Sequence, residues 1–314
     1  MRRILKAAKL VSLGYAVSFL VVACGNSTGS GMGKLTVQLT DAPFPFDSVA
    51  RADIFVVRID GKLAVTDDAD AASATDASSN TDPSKGWVTL ASPNSSYNLL
   101  DLQNGTTVNL GEATLATGMY QGFRLILNTD QSSITLKNGT VLNGNSSTGI
   151  KWPSAGKTGI KIVLDQAINV VEGGTVMVLD FNLGQSFVLR GSTISQNGLL
   201  FKPVIKAVAK DITGSVSGTV RQDNATGALV ADAAVEVLKS GTLITDTDPA
   251  NVVGTGKTDA SGAFKIAFLL PGTYELRAAP PTTLTATYNA VLKSPVTIST
   301  GAEASGNLLV LPHK

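Results

Sequence analysis

Three hydropathy regimes follow one another along the chain. Positions 10–23 form a nearly unbroken apolar stretch of about fourteen residues behind a basic start of Arg2, Arg3, Lys6 and Lys9, the layout of an export signal. Positions 25–33, GNSTGSGMG, hold little that can be buried and read as a flexible tether. From Leu35 onward, short runs of β-forming residues are divided by turn residues: LTVQL, DIFVVRI, FRLILN, TVMVLDF and KPVIKAVA among them. Alternation within 35–39 and 175–179 suits strands with one buried face, and no long span keeps a helical period. Asn-Gly pairs at 104–105, 138–139, 143–144 and 197–198 supply residues that tolerate positive φ, as tight hairpins need. The pattern predicts an antiparallel sandwich or open barrel over 34–211.

After a polar hinge at Lys210 and Asp211 the strand pattern restarts at 214–220, GSVSGTV. Two turns lead into further strands, in which Phe264, Ile266, Tyr274 and Leu276 point inward at period two. The fold class is therefore all-β: two β-sandwich domains in tandem, at 34–211 and 214–314, behind a signal at 1–23 and a tether at 24–33. A length of 314 residues, more than one hydrophobic core usually serves, agrees with two domains.

Composition narrows the chemistry. With 25 basic and 24 acidic residues the chain has no excess charge to condense on a phosphate backbone, so nucleic acid is not an expected partner. The single histidine, His313, is the penultimate residue, a place where chain ends commonly fray, so neither a Ser-His-Asp nor a Cys-His arrangement is readily built. Most zinc sites fail on the same count, and no cofactor is expected. One cysteine, Cys24, makes no intramolecular disulfide.

That cysteine closes the apolar stretch, in Val21-Val22-Ala23-Cys24-Gly25, which resembles the lipobox of bacterial lipoproteins. The resemblance implies cleavage before Cys24 and lipid on its thiol. Several acyl chains hold a protein at a bilayer where one gives only marginal binding. A stretch of fourteen is short against the roughly 20 apolar residues of a membrane span. The expected setting is a bacterial cell envelope, lipid-anchored, and the outer membrane if the cell is Gram-negative, because Gly25 is not the Asp that retains such proteins inside.

The first β module resembles a bacterial lipoprotein domain of unknown function that opens on a TDAP motif. Leu39-Thr40-Asp41-Ala42-Pro43, Gly86-Trp87-Val88-Thr89-Leu90, Asn98-Leu99-Leu100-Asp101-Leu102, Phe123-Arg124-Leu125, Leu179-Asp180-Phe181 and Lys202-Pro203-Val204-Ile205 carry the likeness, in order. It implies a fold and an exported setting, not a reaction. The second module resembles the carboxypeptidase-regulatory-like domain, a transthyretin-like sandwich of about seven strands in the carbohydrate-binding-like group. Gly218-Thr219-Val220, Ala233-Ala234-Val235-Glu236-Val237 and the segments 258–266 and 270–278 carry it.

Candidate chemistry is sparse. Asp41, Asp47 and Asp180, with Asp53 and Asp101, lie near strand ends and are the candidates for a calcium ion, which wants six to eight oxygens. An Asp before Ala-Pro more readily caps its own turn. The acidic stretch 66–85 lacks the Gly and terminal Glu of a calcium loop and reads as solvated. Ser154-Ala155-Gly156-Lys157 imitates a penicillin-binding S-x-x-K, but Pro153 and Gly156 oppose the helix that motif starts. Gly156-Lys157-Thr158 and Gly256-Lys257-Thr258 end like phosphate loops whose earlier glycine is replaced by Lys151 and Asn251. Tyr274 could stack on a sugar, although its alternation favours the core.

These readings converge on a non-catalytic, lipid-anchored protein that binds or scaffolds an extracytoplasmic partner, with an envelope glycan as the first choice. A structural spacer or adhesion module that meets surface proteins is the alternative. The enzyme reading that survives is a glycosidase using two carboxylates about 5–10 Å apart.

Overall fold

The computed structural model describes residues 31–42, 48–63, 87–146, 148–153 and 159–314. Cys24 with its signal, Asp47, the acidic stretch 66–85 and the segment 154–157 lie outside the described residues. Among the described residues no helix is long and apolar enough to cross a membrane.

Residues to 209 are organised as two larger sheets and one small one. The first has the order β10 (Val163–Leu164), β15 (Ile205–Ala209), β12 (Thr175–Asn182), β1 (Met32–Ala42) and β5 (Val108–Ala116). The second runs β11 (Ile168–Val170), β6 (Gly118–Leu136), β2 (Val49–Leu63) and β3 (Trp87–Ala91), with β4 (Ser95–Asn98) on β2 and both β7 (Val141–Leu142) and β9 (Ile160–Lys161) on β6. The third joins β13 (Phe187–Leu189), β14 (Leu199–Phe201) and β8 (Ile150–Lys151). A continuous hydrophobic cluster from Leu35 to Ala209 holds them together. Its largest fully buried side chains include Phe123, Phe181, Phe187 and Phe201, a payload that dominates such a core.

Two expectations change. The module is not purely antiparallel, because β1 runs parallel to β12, with Leu35 opposite Thr175 and Ala42 opposite Asn182, and β10–β15 and β8–β14 are parallel too. A parallel neighbour requires a long crossover, and more than 130 residues separate β1 from β12. Strand β1 also begins at Met32, two residues before the expected start of the module at 34. Gly33 belongs to the ladder: a Cβ there would lie 2.3 Å from the Val171 carbonyl oxygen, so the glycine permits close packing where the sequence suggested slack.

The second hydrophobic cluster runs from Val216 to Leu311. Seven strands enclose it, as the family resemblance implies. One sheet is β19 (Ala263–Leu269), β16 (Gly214–Gln222) and β22 (Glu303–Leu311); the other is β18 (Val252–Lys257), β17 (Ala234–Lys239), β20 (Gly272–Ala279) and β21 (Val291–Ile298). Phe264, Ile266 and Leu276 are buried as their alternation requires. The chain end is pinned where fraying was expected. His313 bridges to Tyr288, their rings meet edge to face at 5.4 Å, and the Lys314 N–H donates to the Thr287 carbonyl.

Candidate functional site

The end of β1 organises the surface that meets the second module. The Thr40 hydroxyl donates to the Thr106 carbonyl oxygen at 2.8 Å and lies 3.0 Å from that of Leu102, which holds the turn at 103–106 against the sheet. Within it Asn104 and Gly105 take φ of +58° and +82°, and the Thr106 N–H closes on the Gln103 carbonyl, the tight turn that the Asn-Gly pair predicts. The turn abuts the second module so closely that a Cβ on Gly105 would lie 3.0 Å from the Ala267 Cβ.

Asp41 follows on the opposite face of the strand, buried. Its Oδ1 accepts from the Leu183 N–H at 3.1 Å, so it holds the start of the short helix α1 (Leu183–Ser186), 142 residues away, in addition to lying against the N–H of Ala42, the next residue. Its Oδ2 has no hydrogen-bond partner among the described residues. Burial, and then the charge of Asp180, push the Asp41 carboxyl well above the usual carboxylate range, and the two N–H groups offset this only in part.

Asp180 sits one strand over. Register places Thr40, Asp180 and Lys206 in one row across β1, β12 and β15, on the outer face of the sheet, whereas Asp41 shares the inner face with Phe181. Burial pushes the Asp180 carboxyl up from 3.8 to about 6, against the pull of the Lys206 ammonium opposite. Of the calcium candidates, the structure thus brings Asp41 and Asp180 together. Asp53 is taken by Arg51 at 2.6 Å, Asp101 is exposed on a separate 3-10 turn, and among the described residues no group of three or more His, Cys, Asp or Glu is placed to hold a metal ion.

The second module supplies the facing wall. Between Val216–Ile266 and Gly214–Leu269 the β16–β19 ladder advances two residues on β16 and three on β19. The surplus residue is a β-bulge, in which Phe268 takes φ of +59°, a region bulky residues avoid. The inward sequence therefore runs Phe264, Ile266, Leu269, and Phe268 is left half-buried outside both hydrophobic clusters. Together the two modules wall an open cleft of about 500 Å³, lined by Asp41, Asp180 and Lys206 on one side and by Thr255, Phe268 and Tyr274 on the other. Tyr274 also packs on the second core, and its hydroxyl donates to the Leu270 carbonyl oxygen at 2.9 Å. The Thr255 hydroxyl, like Asp41 Oδ2, is buried without a partner among the described residues.

Sequence reasoning missed Phe268 and Thr255. Strict alternation puts Phe268 beside Phe264 and Ile266 in the core, and the unbroken apolar run 266–270 carries no turn residue to announce the bulge. It also missed Asp60, which is 1% exposed and accepts from Arg124 Nε at 2.8 Å, Arg58 Nε at 3.1 Å and the Thr89 hydroxyl at 3.1 Å. The Arg124 guanidinium in turn lies 4.6 Å from the centre of the Trp87 ring. The second phosphate-loop imitation is settled by geometry: Thr258 donates to the Val230 carbonyl and accepts from the Ala233 N–H, and Lys257 pairs with Asp232 at 2.9 Å.

Residues 32–203 match the family described as Domain of unknown function (DUF4382), over more than half of the chain. The chain belongs to that family. In this DUF4382 protein residues 215–307 match a second family, the carboxypeptidase regulatory-like domain. No curated protein matches it. Among solved structures it overlaps the minor pilin of Streptococcus agalactiae over 89% of this chain and 96% of that one, at 12% identity and a TM-score of 0.24. The pilus backbone of Streptococcus pneumoniae overlaps 91% of this chain and 65% of its own, at 12% identity and 0.24. Shaft pilin SpaA of Lactobacillus rhamnosus GG overlaps 90% and 97%, at 9% identity and 0.25. Overlaps of this quality transfer neither ligand nor assembly to the DUF4382 protein.

Proposed function

We propose that this protein is a non-catalytic binding protein of the bacterial cell envelope, tethered by lipid on Cys24, and that its two modules present a joint cleft to a glycan. The cleft carries the reading: two sandwiches with separate cores meet so that hydrogen-bonding side chains of one face an aromatic wall of the other. The match of the second module to the carboxypeptidase regulatory-like domain supports a binding or supporting role, although a fold by itself does not fix a function. The sheet register speaks against a two-carboxylate glycosidase, since Asp41 and Asp180 point to opposite faces and so do not flank one bond.

Sedimentation of the detergent-solubilised full chain with insoluble cell-envelope polysaccharide tests the binding half. Retention in the pellet is expected; no retention on any envelope polysaccharide leaves the spacer or adhesion reading, which predicts crosslinks to surface proteins on intact cells. For the tether, Cys24→Ala is expected to abolish metabolic labelling by a fatty acid and to leave unprocessed precursor. Normal labelling and processing of that variant would remove lipid from the account.

A further inference from the structure

We infer that the inter-module cleft is the ligand site and that it takes a neutral, polyhydroxylated ligand, a short stretch of glycan, stacked on Phe268 and bonded by Thr255, Asp180 and Lys206. The inference rests on the glycan reading above and gives it a place and a chemistry.

Three observations lead to it. The first is the bulge. A one-residue insertion into β19 costs ladder bonds and sets a bulky residue at positive φ, a strain that persists only where the surroundings impose it. Its effect is to move a phenyl ring out of the core and onto the cleft wall, and β-bulges beside binding sites commonly re-aim a side chain in this way. An aromatic face of this kind suits the C–H face of a pyranose.

The second is unmet hydrogen bonding. Four buried side-chain atoms lack a partner among the described residues, and one of them, Thr255 Oγ1, belongs to the second module's wall of this cleft. Buried polar groups are nearly always satisfied, so a hydroxyl left open at a cleft wall points to something that bonds there.

The third is charge. The lining carries Asp41, Asp165 and Asp180 against Lys206, Lys239 and Lys265. Lys265 is already paired with Glu303 at 2.6 Å and Asp41 is buried with its carboxyl bonded to the Leu183 N–H. Two acids then face two ammonium groups, a balance that favours neither an anionic nor a cationic ligand. Hydroxyl groups, which both donate and accept, match such a lining.

The test measures binding of maltotetraose, cellotetraose, chitotetraose and mannotetraose, with polygalacturonate as the anionic control, to the detergent-solubilised full chain and two variants. Phe268→Asn removes the ring but keeps a residue that tolerates positive φ, and Thr255→Val removes only the hydroxyl. Each variant is first shown to unfold at the wild-type temperature within a few degrees. Loss of about tenfold in affinity for Phe268→Asn and several-fold for Thr255→Val is the expected result. Equal binding by wild type and both variants overturns the site while leaving the glycan reading standing. Binding of polygalacturonate alone overturns the ligand class, and no binding by the wild type to any glycan, soluble or insoluble, overturns both.

Discussion

Two buried acids in the first module are treated in opposite ways. Asp60, in the second sheet, is surrounded by two arginines and a threonine hydroxyl, and one of those arginines is itself backed by Trp87. Asp180, on the central strand of the first sheet, faces a single lysine across the ladder and lines the cleft, next to Asp41 with its unpartnered oxygen. The first arrangement is saturated and structural: every strong donor around it is already committed. The second is left short of partners, which raises its acids and leaves bonding capacity at the boundary between modules. Burial alone thus says little about whether an acid is available; the count of donors around it decides.

Substitutions break this comparison in a definite order. Removing the Asp60 carboxylate, as in Asp60→Ala, takes from Arg124 its buried ion-pair partner and should destabilise by about 3–5 kcal/mol, read as a fall in the denaturant midpoint at pH 7. A loss below about 1 kcal/mol would mean that the cluster is not the rigid centre its geometry suggests. Asp180→Asn should do the reverse. Because the folded-state pKa of Asp180 is raised, from 3.8 to about 6, its contribution is most favourable below about pH 4 and is lost as pH rises toward 6. The asparagine variant should therefore be more stable than wild type at pH 7, by on the order of 2 kcal/mol, and the gap should close by pH 4. Stability curves that stay parallel from pH 4 to 7 would refute this. The smallest effect belongs to Thr255→Val, where loss of an unpartnered buried hydroxyl should leave stability unchanged or raise it by up to about 1 kcal/mol in thermal unfolding. A clear loss would show that the hydroxyl already has a partner.

Much of the strand content was legible because period-two alternation is a local signal. Leu35, Val37 and Leu39 are buried as written, the second module has its seven strands, and Asn104-Gly105 makes the tight turn. What was hidden depends on partners remote in sequence. The parallel pairing of β1 with β12 is decided by which strand fills the centre of a sheet, and no residue of either strand announces it. The bulge at Phe268 breaks alternation inside an apolar run that reads equally well without a break. Asp60 looks like one more polar position in an alternating strand, because the arginine that completes its cluster, Arg124, is 64 residues away. The cleft itself is made by two modules, so neither pattern alone contains it.

In the second module β16 and β22 lie parallel and side by side, with seven residue pairs from Ser215–Glu303 to Gln222–Leu311 and one register shift, between Val216 and Gly218. A pull between the start of β16 and the end of β22 slides the two strands along each other, so the whole ladder is loaded at once and does not open bond by bond. A module pulled at those two ends holds by shear, where a hairpin would unzip.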